Sequence, residues 1–386
     1  MGVLRIEPAS SRTWATRSIG AIWRAYDLQL TIYALLLVSI GLAMAYSNSV
    51  ESGVPVLAAG STFVRGLMWA GLAIVVFAVA TAFDYTWFKT FAWPIYFTNL
   101  GLLGLSLAIG DGVGGVARWI SIGPFQVQFS EIAKILMILV LANYLARRQG
   151  QLDRPWPILG ACLLIGPPLF LVLLQPDLGT SLVFGAILAG MLFLSGASLR
   201  WLGVLAGILI AAVPIVWNYV LLPYQKQRIL SFVYPASDPL GSTYQLSQSL
   251  ISVGSGGLVG KGLTNGTQDR GNFLPVQTTD FVFAKLGEEL GFIGALVVFI
   301  LFCALIWRVL VAGWRSRDPF GLVVASGVAS MIFFQFVVNV GMVIGVMPIT
   351  GIPLPFVTHG GASLISLAFG LGILQSINIR QMRAEW

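Results

Sequence analysis

A chain of 386 residues that is 57% hydrophobic and only 10% charged is not a soluble domain, in which roughly a quarter of residues carry charge. The net charge of +7 invokes a nucleic-acid partner only until its distribution is read, because basic residues of membrane proteins gather in cytoplasmic loops. A single histidine excludes a multi-histidine metal centre and argues against a Ser-His-Asp triad, and the two cysteines, Cys162 and Cys303, sit inside apolar runs as packing residues.

In chain order, residues 1–27 form a basic cytoplasmic N-terminal segment with Arg5, Arg12, Arg17 and Arg24. The first apolar run, 28 to 46, carries Ala43-Met44-Ala45, which resembles a signal-peptidase site. The run is long for a signal, and removing it would worsen the charge pattern, so it is read as a retained span. Further runs at 64 to 83, 91 to 109, 131 to 146, 157 to 174, 180 to 195, 200 to 220, 286 to 312, 320 to 345 and 361 to 379 approach the roughly 20 residues of a bilayer crossing. The fold class expected is an all-α polytopic membrane protein, with residues 28–386 as one ten-helix domain.

Ten spans place both termini on one side, and the arginines select the cytoplasm. That side collects fourteen basic and six acidic residues, against eight basic and nine acidic on the other. Two outer connections are too long for simple loops: Ile109 to Ser130, and about 221 to 280 between the seventh and eighth spans. The second keeps Tyr224, Phe232, Tyr234, Tyr244 and Phe273, and Gln245 to Val253 is patterned as an amphipathic helix, which predicts a folded lid over a cavity.

Charge near the membrane is costly, so each outer charge is a candidate unless a partner explains it. Glu131 and Lys134 are three apart on one helical face, as an ion pair at a helix N-terminus or as a substrate contact. Asp280 opens the eighth span in QTTDFVFAKLGEELG, where it is either a helix cap or a carboxylate above the small-residue stripe Ala284, Gly287 and Gly291. Lys285 pairs by spacing with Glu288 and Glu289. GSGGLVGKG (254–262) fails as a P-loop, with Ser255 and Gly262 at the wrong places, but its glycine turn with Lys261 offers backbone donors to a phosphate. MPITGIPLPFVTHGGAS reads as rigid extended backbone re-entering toward the cavity.

RWISIGPFQVQFSEIAK, QPDLGTS (175–181), RILSFVYPASDPLGSTYQLSQS (228–249), GSGGLVGKG, FLPVQTTDFVFAKLGEELGFIG (273–294) and GIPLPFVTHGGAS (351–363) together resemble the SEDS family of shape, elongation, division and sporulation proteins. Gly260 to Gly262 and Gly266 to Gln268 are similar to its RodA branch. The resemblance implies a peptidoglycan glycosyltransferase that polymerises lipid II on the outer face of the cytoplasmic membrane for cell-wall elongation and cell shape, with a class B penicillin-binding protein as partner. The family's essential aspartate matches Asp280, and its charged pair matches Glu131 and Lys134. Phe129, Thr278 and the Thr358-His359 pair depart from the family pattern, which usually has proline, histidine and Ser-Tyr there.

The chemistry agrees. A sugar hydroxyl displacing a lipid diphosphate inverts the anomeric carbon and needs one general base and no covalent nucleophile. The diphosphate leaves if cations, or a divalent ion such as Mg or Mn, absorb its charge; no other cofactor is implied. Asp280 is the candidate base. Arg118, Lys134, Arg228, Lys261 and Arg270 are candidate phosphate contacts, and Glu131, His359 and Ser363 complete the substrate-binding set. Two other classes compete: a flippase of lipid-linked precursors, which would favour internal repeats and charges at midplane, and a noncatalytic scaffold, in which Asp280 is dispensable.

Overall fold

Each of the ten apolar runs forms a helix, and local chemistry fixes where many of them begin. The computed structural model describes residues 26–58, 60–113, 116–122, 125–234, 238, 241–267, 280–358 and 360–381. Helix α1 (Leu28–Glu51) starts at Asp27, whose Oδ1 accepts from the Leu30 amide, and α2 (Thr62–Ala82) at Ser61, which caps Val64 in the same way. A short α3 (Thr86–Thr90) leads to α4 (Ala92–Ile109). Then come α5 (Phe129–Ala146), α6 (Pro155–Leu174), which has proline at its start, and α7 (Leu178–Leu194), capped by Asp177. Helix α8 (Leu199–Ile215) loosens into one π turn (Val216–Val220) just after Pro214, which lacks the amide that would continue the ladder. The remainder is α9 (Pro223–Val233), α10 (Ser242–Ser255), α11 (Val282–Trp314), α12 (Pro319–Val343), capped by Asp318, and α13 (Gly361–Gln381).

Among the described residues nine helices, counting α8 with its π turn, are long and apolar enough to cross a membrane, and α7 is a shorter apolar helix of 17 residues. The chain is thus an almost wholly helical, multi-pass membrane protein. Helices α5, α12 and α13 are buried along most of their length and form the centre, whereas α8 has no buried residue and lies at the rim. Asp27 pairs with Arg308, and Asp318 with Lys89, tying α1 to α11 and α3 to α12 at one end of the bundle.

One expected loop is not a loop. Within 109–130 the chain forms β1 (Asp111–Val113), β2 (Val116–Ile122) and β3 (Phe125–Val127), an antiparallel sheet in the order β1-β2-β3 with Gly112 opposite Ala117 and Ile120 opposite Val127. VARWISI is rich in β-branched and aromatic residues and is flanked by Gly114-Gly115 and Gly123-Pro124, so short hairpins satisfy its backbone better than an open loop.

The connection between α8 and α11 is folded, as expected, around α9 and α10. Helix α10 covers the predicted helix and extends it at both ends. It lies on the stripe Ala284, Gly287 and Gly291: Ser252 donates to the Ala284 carbonyl at 3.2 Å, and a β-carbon on Gly256 would come within 2.0 Å of the Gly287 carbonyl oxygen. The glycine turn then meets a break in α11 at Gly291, whose φ of 66° favours glycine. Lys261 and Gly262 amides donate to the Glu288 and Glu289 carbonyls, and Phe292 and Ile293 amides to Gly257 and Leu258, each at 2.9–3.1 Å. The Lys261 and Gly262 donors expected to face phosphate therefore satisfy the broken helix.

Candidate active site

At the end of the bundle that carries α9 and α10, a cavity of about 270 Å³ opens among Gln128, Glu131, Asp177, Arg228, Asp280 and Ser363, with Trp119, Thr350, Gly351, Pro353, Thr358 and Gly360 in its wall. Seven elements or connections separated by much of the sequence meet here. The structure brings together four of the predicted residues: Asp280, Glu131, Arg228 and Ser363.

Asp280 sits just before Phe281, the N-cap of α11, which makes no side-chain cap; the aspartate lines the cavity instead. Its backbone is fixed by the fully buried Asn339 of α12, whose Nδ2 donates to the carbonyls of Asp280 (3.0 Å) and Ile352 (2.8 Å). One amide thus pins the head of α11 and the re-entrant segment to α12. Arg228 approaches from α9, its guanidinium 5.9 Å from the Tyr224 ring centre. Tyr224 and Gln225 both donate to the Pro176 carbonyl, at 2.9 and 3.3 Å, which fastens the lid helix over the turn that opens α7.

Glu131 and Lys134 form the predicted pair, Oε1 to Nζ at 2.7 Å, with both side chains buried. Lys134 is not in the cavity wall; Glu131 is, and its Oε2 makes no hydrogen bond to any described residue. The lysine therefore meets the cavity through the carboxylate. Asp177 was one of the outer charges that the sequence marks as candidates, whereas Gln128 and Thr180 were not singled out. Asp177 Oδ1 accepts from the Thr180 amide (3.0 Å), and Oδ2 from Thr180 Oγ1 and Gln128 Nε2 (both 2.9 Å). The signal was present: Asp followed three residues later by Thr before an apolar run is a helix N-terminus, here placed at a cavity.

Lys261 is elsewhere. Its Nζ lies 2.6 Å from Glu288 Oε1, beside Lys285, which pairs with Glu51 at 2.5 Å and Glu289 at 3.6 Å. The expected pairing of Lys285 with Glu289 is present, α1 adds Glu51 as a further partner, and Glu288 also holds Lys261. This buried network joins α1, the glycine turn and α11. Arg118 lies on β2 with its side chain outside the described set, and Arg270 and His359 lie outside the described residues. Among the described residues no three His, Cys, Asp or Glu side chains come together as a metal site.

The family model FtsW/RodA/SpoVE, described as cell cycle protein, matches residues 27–383. The chain belongs to this family. Within the FtsW/RodA/SpoVE family it is similar to the peptidoglycan glycosyltransferase MrdB of Escherichia coli K12, 40% identical over 311 residues, covering 80% of this chain and 83% of that protein. It is 37% identical to stage V sporulation protein E of Bacillus subtilis 168, over 91% of this chain and 96% of that one. Among solved structures, a chain of a peptidoglycan synthase complex that coordinates polymerization and crosslinking superposes with TM-score 0.77 at 30% identity, covering 93% and 99% of the two chains. The rod shape determining protein RodA of Thermus thermophilus superposes with TM-score 0.69 at 28% identity, covering 93% and 98%.

Proposed function

We propose that this FtsW/RodA/SpoVE member is a peptidoglycan glycosyltransferase that polymerises lipid II on the outer face of the bacterial cytoplasmic membrane. The arginine distribution, read as ten crossings with both termini cytoplasmic, supports this face for the cavity. The observation that carries the reading is the meeting of Asp280 with Arg228 in one cavity at the bundle end.

Asp280 takes the proton of the acceptor sugar hydroxyl as its oxygen attacks the donor's anomeric carbon; the bond to the lipid diphosphate breaks and its electrons stay on phosphate. Arg228 receives that charge, and a fixed donor of this kind is worth about 3 kcal/mol in the transition state. Glu131 and Asp177 accept sugar hydroxyls or amides, and Ser363 offers a hydroxyl. The described lining holds three carboxylates and one cation, so Arg118, Arg270 or a divalent ion such as Mg or Mn is required to balance a diphosphate. A class B penicillin-binding protein fits as the partner that crosslinks the product, since a relative of this fold occurs in such a polymerising and crosslinking complex.

The test is conversion of labelled lipid II by the purified full-length protein, alone and with the penicillin-binding protein. Glycan strands are expected. Lipid II that is moved across a bilayer but never joined would overturn the reading in favour of a carrier.

A further inference from the structure

Helices α5 and α7 both start at the Asp280 cavity, near Glu131 and Asp177, so the turns that follow them, 147–154 and 195–198, lie at the opposite end of the bundle. Charge at that end is unevenly matched. Asp27 pairs with Arg308, Asp84 with Arg380 and Asp318 with Lys89. Arg147 and Arg148 reach only neutral oxygens, those of Asn143 and Tyr144, and the exposed Arg154 and Arg200 make no ion pair with a described residue. The one acid in these two turns is Asp153.

Two contacts draw the turns into a single corner. The Ser198 amide donates to the Leu152 carbonyl at 3.2 Å, and the Trp201 indole to the Asp153 carbonyl at 2.9 Å, so Arg154 and Arg200 each adjoin a residue of the junction. Helix α8 begins at Ser198 without a side-chain cap, and the buried Ser195 and Ser198 hydroxyls have no hydrogen-bond partner among the described residues. Beside these polar groups Trp156 and Leu199 are 73% and 71% exposed.

We propose that this corner binds the headgroup phosphate of an anionic phospholipid, with the acyl chains against the exposed sides of α6 and α8. Four guanidinium groups stand against one carboxylate, and planar guanidinium forks match phosphate oxygens. The uncapped start of α8 adds positive potential and free donors at the same place. Tryptophan at a helix end suits the depth where headgroups meet hydrocarbon. A zwitterionic lipid brings the same phosphate with an ammonium group that the local positive excess repels, and inorganic phosphate has nothing to cover Trp156 and Leu199. On the orientation proposed above, the lipid belongs to the cytoplasmic leaflet.

The site also bears on α8. No residue of α8 is buried, yet through the π turn it leads into α9, which carries Arg228. A phosphate held by Arg154 at the start of α6 and Arg200 on α8 adds a charged strut to the two hydrogen bonds at the foot of that helix.

The experiment is native mass spectrometry of the full-length protein titrated with phosphatidylglycerol, phosphatidylcholine and inorganic phosphate, with Tm followed in parallel. Phosphatidylglycerol is expected to bind at lower concentration than phosphatidylcholine and to raise Tm. The double variant Arg154→Gln/Arg200→Gln should weaken phosphatidylglycerol binding about tenfold or more, as loss of two cations near an anionic surface requires. Arg154→Lys/Arg200→Lys should retain most of it, which separates charge from folding, and Arg65→Gln, an exposed cation at the other end of the bundle, should change nothing. Equal binding of the two lipids, or wild-type phosphatidylglycerol affinity in the Gln variant, would overturn the proposal. Displacement of the lipid by an equal concentration of inorganic phosphate would overturn it in favour of a soluble anion, and displacement by a polyglutamate peptide in favour of an acidic protein segment. None of these readouts involves lipid II, so the outcome is independent of the glycosyltransferase reading.

Discussion

Asp280 and Arg228 converge on Gly351: a β-carbon built there would lie 3.5 Å from the Asp280 Oδ2 and 3.8 Å from the Arg228 Nη1. The carboxylate and the guanidinium thus flank one point of backbone, which has φ of 73° and carries no side chain.

Gly351→Ala puts a methyl group at that point. The positive φ costs about 1 kcal/mol of stability, which thermal unfolding in detergent should register as a small fall in Tm. Polymerisation should fall much further, by tenfold or more by the same measure of free energy applied to a displaced base. A loss of activity no larger than the loss of folded protein would show that the site tolerates a wall there.

Arg228→Met removes the one cation among the described lining residues. Loss of about 3 kcal/mol of charge stabilisation predicts roughly a hundredfold fall in kcat/KM, and Arg228→Lys should recover part of it. Steady-state polymerisation kinetics decide this. Equal kinetics for Met and wild type would place the diphosphate elsewhere.

Lys285 and Lys261 should behave as structural residues. Lys285 is buried between Glu51 and Glu289, so Lys285→Met strands two carboxylates and should cost about 3–5 kcal/mol. Lys261 is partly exposed in its pair with Glu288, so Lys261→Met should cost less, with KM for lipid II unchanged. Tm and KM measured together separate these outcomes from a phosphate-binding role, which would raise KM.

Helix α10 carries a pH-dependent tether. Asp238 accepts from the Ser242 amide (2.8 Å) and hydroxyl (2.9 Å), and these bonds hold its carboxyl below the usual aspartate range. A carboxyl depressed in the folded state contributes above its unfolded pKa, and the contribution disappears as pH falls through the lower folded value. Amide exchange in 242–255 should therefore accelerate below about pH 4, and Asp238→Asn should abolish the acid-dependent step. An identical pH profile in the variant would remove Asp238 from the account.

Much of this could be read before the structure because hydrophobic runs, capping residues and the small-residue stripe are local signals. Asp280 and the Glu131–Lys134 pair stood out because charge at a membrane is expensive. Partner choice was not wholly local: Glu51 meets Lys285 across 234 positions, and nothing in the spacing of Lys285, Glu288 and Glu289 could reveal a further partner on α1. The same holds for Lys261, whose glycine turn looked available for phosphate until the break at Gly291 claimed its amides. The hairpins between α4 and α5 were missed because β1 and β3, of three residues each, carry too little periodicity to pair with β2 on paper. Asn339, inside an apolar helix, gave no hint that two distant carbonyls depend on it.

The most direct test is labelled lipid II polymerisation by Asp280→Asn, a variant that keeps shape and hydrogen-bonding capacity and removes the proton acceptor. Folded protein of wild-type Tm that makes no glycan strands, at any concentration of the partner transpeptidase, is the predicted result. Strand synthesis at the wild-type rate would contradict the account, because no carboxylate at that position would then be taking the proton.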